Sequence, residues 1–417
     1  MLGRYRSLMT VSYRFPGAIV TEREHKVPLD HAQPKGPTIS VFTREVAVPG
    51  GEDRPYLVFL QGGPGMEATR PTSPPSGWLK RALEDYRVLL LDQRGTGRST
   101  PVGAQIPGDT AQAQADYLKH FRADSIVRDA ELIRQELGVE RWSILGQSFG
   151  GFTSIAYLSI APAGLREAML TGGLTPVGRP VDEVYSATWQ RAIQKNQEYF
   201  ARYPEDRERT RQILDRLDAD DVRLPNGDRL TSRRFRQLGM WLGASDGFEK
   251  LHHVLELPFG SNGFLYDAQD GASRWERNPI YATMHESSYA DGAATRWSAA
   301  RTMPDEVVEQ RYFTAEHVFP WMWEDYAGLR PQREVANILA EYEWPKLYQA
   351  DVLRHNEVPV AATIYAYDLY VERQFAEETA VLVRGLRPWL TNEYEHNGLR
   401  FGDEVLGRLI DMVKGRA

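Results

Sequence analysis

Residues 142–154 read WSILGQSFGGFTS. An apolar run, Trp142 to Leu145, meets Gly146-Gln147-Ser148-Phe149-Gly150. A serine between glycines at the end of a buried strand has two readings. One is a turn of small residues that lets the next helix pack closely. The other is a nucleophile elbow, a strained strand-to-helix turn that leaves the serine hydroxyl exposed. The G-x-S-x-G pattern is short enough to arise by chance, so the rest of the chain must decide.

Upstream, three strand-like segments, AIVTEREHKV (18–27), TISVFTREVAV (38–48) and YLVFL (56–60), are separated by turn signals such as Pro-Lys-Gly-Pro. YLVFL runs directly into Gln61-Gly62-Gly63-Pro64-Gly65. The next strand candidate, YRVLLLD, carries a fully apolar run that predicts burial on both sheet faces. Between it and the serine motif, Ile126, Ala130, Ile133 and Leu137 fall at helical spacing, with Asp124 expected to cap the start and Gly138 to end the helix. Strand, helix, strand with serine, helix is the pattern of a mostly parallel α/β sheet with crossover helices.

After Thr171 the pattern changes. Charged helical stretches (WQRAIQKNQEYFARY, ERTRQILDRLDA) and aromatic-rich loops carry little strand signal. Alternation returns with VPVAATIYAYD (358–368) and RPWLTNEYEH (387–396), followed by the helical GDEVLGRLIDMVKG. The expectation is one α/β catalytic domain formed by residues 1–177 and 331–417, split by a mainly helical insertion at 178–330. RPTSPPSG at 70–77 reads as a flexible or polyproline-like loop.

The 417 residues contain no cysteine, which excludes disulfides, thiolate metal sites and cysteine nucleophiles. A net charge of -7 argues against a nucleic-acid binder. The N-terminal MLGRYRSLMTVSYRFPG has no apolar core of a secretory signal, and no stretch reaches the length of a membrane span. A cytoplasmic chain is expected, with no membrane partner; nothing in the sequence speaks to oligomeric state.

Serine needs a base, normally a histidine oriented by a carboxylate, and on this sheet architecture the chain order is Ser, Asp or Glu, then His. His25, His31 and His120 precede the serine; His252, His253, His285 and His317 fall in the insertion. His355 lies in a polar helical stretch. His396 follows the last strand-like segment and precedes the turn signal Asn397-Gly398, which makes it the expected base. Asp368 ends an apolar run, where its carboxylate emerges at the carboxyl edge of a buried strand; its rival Asp351 sits in a helix-like stretch. Backbone N–H groups of Phe149 and of the 62–65 glycine turn, at Gly63, are the expected oxyanion donors.

QGGPG (61–65), DQRGTGRST (92–100), GQSFGG (146–151), YAYDLYV (365–371) and TNEYEHNGLR (391–400) together resemble the prolyl aminopeptidases, which are α/β-hydrolase-fold serine peptidases with a helical cap. The resemblance spans almost the whole chain. Gln61 departs from it, since the family's usual HGGPG reads QGGPG here; the turn's backbone does the chemistry, so the oxyanion donors are expected to survive and loop support to change. The resemblance implies removal of N-terminal proline from peptides by Ser148, Asp368 and His396, without a metal or other cofactor. Such a substrate carries a charged imino group, which calls for carboxylates. Glu286, in a His-Glu-aromatic setting, and Glu316 are the expected substrate-binding residues, with Glu67 a weaker third. Phe149, Phe319 and Trp321 could wall a proline pocket, although core packing explains each more simply.

Three alternatives stand beside this reading. His285-Glu286 lacks the second histidine of a zinc motif, and neither dinucleotide nor P-loop fingerprints are complete. A carboxylesterase or a broader aminopeptidase would use the same triad, and cap carboxylates separate the first of these, because an ester has no obligatory cation. A non-catalytic binding module would be expected to have lost part of the machinery, and candidates for all of it remain.

Overall fold

The computed structural model describes residues 9–417; the first eight, part of the N-terminal stretch read above, lie outside the described residues. Nine strands form one sheet: β1 Met9–Phe15, β2 Ala18–Pro28, β3 Thr38–Ala47, β4 Tyr56–Leu60, β5 Arg87–Asp92, β6 Trp142–Gln147, β7 Leu165–Thr171, β8 Val360–Tyr365 and β9 Leu386–Thr391. Their spatial order is β1-β2-β3-β5-β4-β6-β7-β8-β9. The pairings from β1 to β5 are antiparallel, and those from β5 through β4 to β9 are all parallel. The chain therefore has the mostly parallel α/β sheet that the strand–helix alternation predicts.

Every residue of β4, β6 and β8 is buried, as strands covered by helices on both faces must be. The two-residue period then sorts their side chains. Tyr56, Val58 and Leu60 join one apolar cluster with Ile144, Leu170 and Phe152; Leu57 and Phe59 join another with Leu145, Met169 and the C-terminal helix residues Leu406 and Leu409. A third cluster, from Trp189 through Leu369, is built mainly by helices lying between β7 and β8 and includes Phe235, Trp275 and Trp323. Between those two strands the only β pairing among the described residues is the isolated bridge of Arg223 with Arg229.

Three local expectations need correction. The helix Ala123–Glu136 is preceded by Arg122 at its N-cap; Asp124 lies inside the first turn, where it accepts from Arg128 at 2.6 Å instead of capping. Gly138 does follow the helix end, in a left-handed conformation with φ of 67°. VPVAATIYAYD forms a strand only to Tyr365, because Ala366–Asp368 turn away from the sheet, and RPWLTNEYEH pairs only to Thr391. The sequence reading also passed over β1. No helix among the described residues is long and apolar enough to cross a membrane.

Candidate active site

The parallel strands end on one edge of the sheet, and the loops leaving β4, β6, β8 and β9 meet there. Ser148 joins β6 to the helix Phe149–Ile160 with φ 55° and ψ -123°, a strained conformation for a residue with a side chain. The surrounding glycines make that turn possible. A Cβ on Gly150 would lie 1.8 Å from the Leu60 carbonyl oxygen, and one on Gly146 would lie 2.3 Å from that of Gly150. β4, β6 and the helix thus approach closer than any other residue type permits. The serine amide is held by the Thr171 carbonyl of β7 at 3.0 Å.

His396 Nε2 lies 2.9 Å from Ser148 Oγ, and its Nδ1 lies 2.7 Å from Asp368 Oδ2. The other carboxylate oxygen of Asp368 accepts from the backbone N–H groups of Tyr370 and Val371 at 2.9 and 3.1 Å. Asp368 is therefore clamped by its own turn, three residues past the end of β8, and aims one oxygen at the imidazole. All three side chains are buried. Burial alone would depress the His396 pKa; the charge and hydrogen bond of Asp368, with a further contribution from Glu316, outweigh it and raise the value. Asp351 accepts from Arg354 on an exposed helix, and His355 bonds the Asp351 carbonyl, so neither reaches this site.

Gly62, Gly63 and Ser148 line one cavity of about 840 Å³. A Cβ on Gly62 would meet that of Ser148 at 3.0 Å, which sets how closely the loop passes. Phe149 opens its helix, and the first amides of a helix have no intrahelical acceptor. Gln61 supports the loop: its Oε1 accepts from the Gly62 N–H at 2.9 Å and its Nε2 donates to the Glu67 carbonyl at 3.3 Å.

The predicted carboxylates separate. Glu316 lines the same cavity as Ser148 and His396 and accepts a hydrogen bond from the Tyr281 hydroxyl. Glu67 lines it too, but Arg277 holds it at 3.0 Å and keeps its pKa low. Glu286 is not brought into the cavity. Its two oxygens accept the backbone N–H groups of Ser298 and Ala299 at 3.2 and 2.9 Å, at the start of the short helix Ser298–Arg301, and burial raises its pKa. Its local sequence could not reveal this, because the partner amides lie twelve and thirteen residues further on. Phe149 and Phe319 belong to apolar clusters, and Trp321 stacks on Phe319. The aromatic walls are instead Trp241, Tyr281 and Tyr370, the last standing edge-on to His396 with centroids 4.8 Å apart.

Sequence reasoning also missed the braces on the histidine loop. The His396 N–H donates to the Gly243 carbonyl at 3.2 Å, the Tyr370 hydroxyl donates to the Met240 carbonyl, and Lys195 donates to Glu395 at 2.6 Å. Lys195, Met240 and Gly243 all come from the segment between β7 and β8. Tyr370 and Glu395 stand inside quoted motifs, so their proximity to the site was legible while their partners were not.

Residues 55–318 match the family model of the alpha/beta hydrolase fold. The chain is 48% identical over 401 residues to a proline iminopeptidase of Aeromonas sobria, covering 92% of this chain and 94% of that one. It is 34% identical over 435 residues to a proline iminopeptidase of Aspergillus aculeatus, covering 97% and 96%. A probable proline iminopeptidase of Streptomyces coelicolor is 35% identical over a shorter region, 28% of this chain and 32% of that protein.

Proposed function

The chain belongs to the proline iminopeptidases of the α/β-hydrolase fold, and on that premise we propose that it releases proline from the N-terminus of peptides with Ser148 as nucleophile. One observation carries this reading: a single cavity holds both the hydrogen-bonded Ser148–His396–Asp368 array and the carboxylate of Glu316. The first can cleave an acyl bond, and the second can hold a cation beside it.

In this mechanism Ser148 Oγ attacks the prolyl carbonyl carbon while His396 Nε2 takes the hydroxyl proton. Asp368 fixes the tautomer by accepting from Nδ1 and stabilises the imidazolium. The N–H groups of Gly63 and Phe149 receive the developing oxyanion. The tetrahedral intermediate collapses, breaking the C–N bond as His396 returns the proton to the leaving amine. Water, deprotonated by the same histidine, then hydrolyses the prolyl ester and frees Ser148. Glu316 holds the imino group throughout, and the substrates are peptides with a free N-terminal proline. Residues 178–330 serve as the cap over a catalytic domain of 1–177 and 331–417, supported by the separate apolar cluster that these helices build.

Proline p-nitroanilide and p-nitrophenyl acetate separate this reading from a carboxylesterase. Turnover of the anilide is expected, falling by at least about a thousandfold in Ser148→Ala, which retains the native thermal unfolding midpoint within a few degrees. Ester hydrolysis without anilide hydrolysis would overturn the peptidase assignment, and an active Ser148→Ala would overturn the nucleophile.

A further inference from the structure

An N-terminal imino group needs an anion, yet the cavity around Ser148 is also lined by five cationic side chains: Arg70, Lys250, Arg274, Arg277 and Arg400. Three of these face carboxylates. Lys250 lies 2.7 Å from Asp246, Arg277 pairs with Glu67, and Arg70 lies 3.8 Å from Glu67. Arg274 and Arg400 have no ion-pair partner among the described residues. Arg274 contacts the Tyr281 hydroxyl, and the charge of Glu316 acts on it. Arg400 lines the same cavity, where burial and then the like charge of Arg274 pull its pKa down. Like charges facing one cavity repel, and a carboxylate placed between them relieves the repulsion.

The position of the pair matters as much as its charge. Arg400 ends the turn Gly398–Arg400, four residues past His396, and its field reaches the imidazole. Arg400 also lines an adjoining cavity of about 570 Å³, walled by the proline-rich loop around Pro71, Pro74 and Pro75. Gln61, Gln147 and Arg70 line both spaces, so Arg400 stands where the catalytic cavity meets this second chamber. A substrate held by Glu316 at its imino end must extend its other end away from Glu316, past the reacting carbonyl.

Resting on the proline-releasing reading, we propose that Arg274 and Arg400 form a carboxylate-binding subsite for the leaving part of the substrate. The planar guanidinium fork matches a carboxylate in a bidentate way that lysine cannot. Each residue of an extended chain spans roughly 3.3–3.6 Å, so the α-carboxylate of a di- or tripeptide reaches only a short way beyond the scissile bond. The carboxylate could equally belong to an aspartate next to the proline. Both are the same chemistry at one site.

The test compares the acid and amide forms of one leaving group. Pro-Ala should be cleaved with kcat/KM roughly tenfold above Pro-Ala-amide by the wild-type protein, the scale of one charge-assisted contact. That ratio should fall towards one in Arg400→Gln and in Arg274→Gln, and should be partly retained in Arg400→Lys. A second pair, Pro-Asp-amide against Pro-Asn-amide, identifies the source. Preference for the aspartate with no acid-over-amide effect assigns the subsite to a side-chain carboxylate. Equal cleavage within both pairs by the wild-type protein overturns the subsite, and this arm needs no variant to fold. A ratio that survives unchanged in both glutamine variants overturns it as well. The two readings fail differently: no free proline from any peptide refutes the exopeptidase, whereas proline released equally from acids and amides refutes only the subsite.

Discussion

At the scale of single residues, the proposed mechanism makes protonation of His396 act on both stability and turnover, with opposite signs. Its folded pKa lies above the ordinary value of 6.5, because Asp368 and Glu316 stabilise the imidazolium more than burial penalises it. The protonated ring therefore contributes stability that is fully present below the unfolded pKa and is lost as pH rises through the folded value. The proposed mechanism needs the neutral ring, so activity is expected to appear over the same rise. The acid limb of kcat/KM against pH is expected above 6.5. Glu316→Gln removes one of the anions responsible, so that limb should move to lower pH while kcat/KM at its plateau drops roughly ten- to a hundredfold from loss of the imino contact. A pH profile of both proteins checks this; an unmoved limb would remove Glu316 from the vicinity of the histidine. That Ser148, Asp368 and His396 come together was legible because order along the chain and position at strand ends constrain them jointly. The placement of Glu286 was not legible, because a short motif gives the residue's neighbours in sequence and not which backbone amides reach its carboxylate.

At the scale of elements, the serine turn is a packing problem solved by glycine. Gly150 lies against the Leu60 carbonyl, where an added Cβ would stand 1.8 Å away with backbone on both sides and no rotamer to yield. Gly150→Ala should cost about 3 kcal/mol or more, because only a shift of β4 or of the helix relieves the clash. Gly103→Ala, in a loop with open space around the site of the new Cβ, should stay within about 0.5 kcal/mol of wild type. Urea denaturation of both variants tests the contrast, and a near-neutral Gly150→Ala would contradict the close approach. The buried strands β4, β6 and β8 were readable from continuous apolar runs with turn signals at their ends. Their exact stopping points were not. Asp368 lies in a turn beyond β8 because its Oδ1 takes up the amides of both Tyr370 and Val371, local bonds that compete with further pairing and leave no periodic trace.

At the scale of the molecule, the helices between β7 and β8 reach into the catalytic loops. Met240 and Gly243 take hydrogen bonds from Tyr370 and His396, while Lys195, buried on the helix Val181–Arg202, donates to Glu395. The segment between β7 and β8 thus bounds the cavity and braces the loops that carry Tyr370, Glu395 and His396. That helices fill the chain between β7 and β8 was legible, since their periodicity is plain. These tertiary contacts cross 130 to 200 residues of chain and have no local signature. A cavity with Glu316 beside the reacting serine should accept a chain end that carries a positive charge and refuse one that has lost it.

The most direct measurement is amino-acid analysis of the products from Pro-Gly-Gly and from N-acetyl-Pro-Gly-Gly at equal concentration. Free proline and Gly-Gly should appear in equal amounts from the first, with cleavage of the acetylated peptide slower by at least about a hundredfold, because its nitrogen carries no charge for Glu316 to hold. Cleavage of both peptides at similar rates, or of neither, would contradict the account.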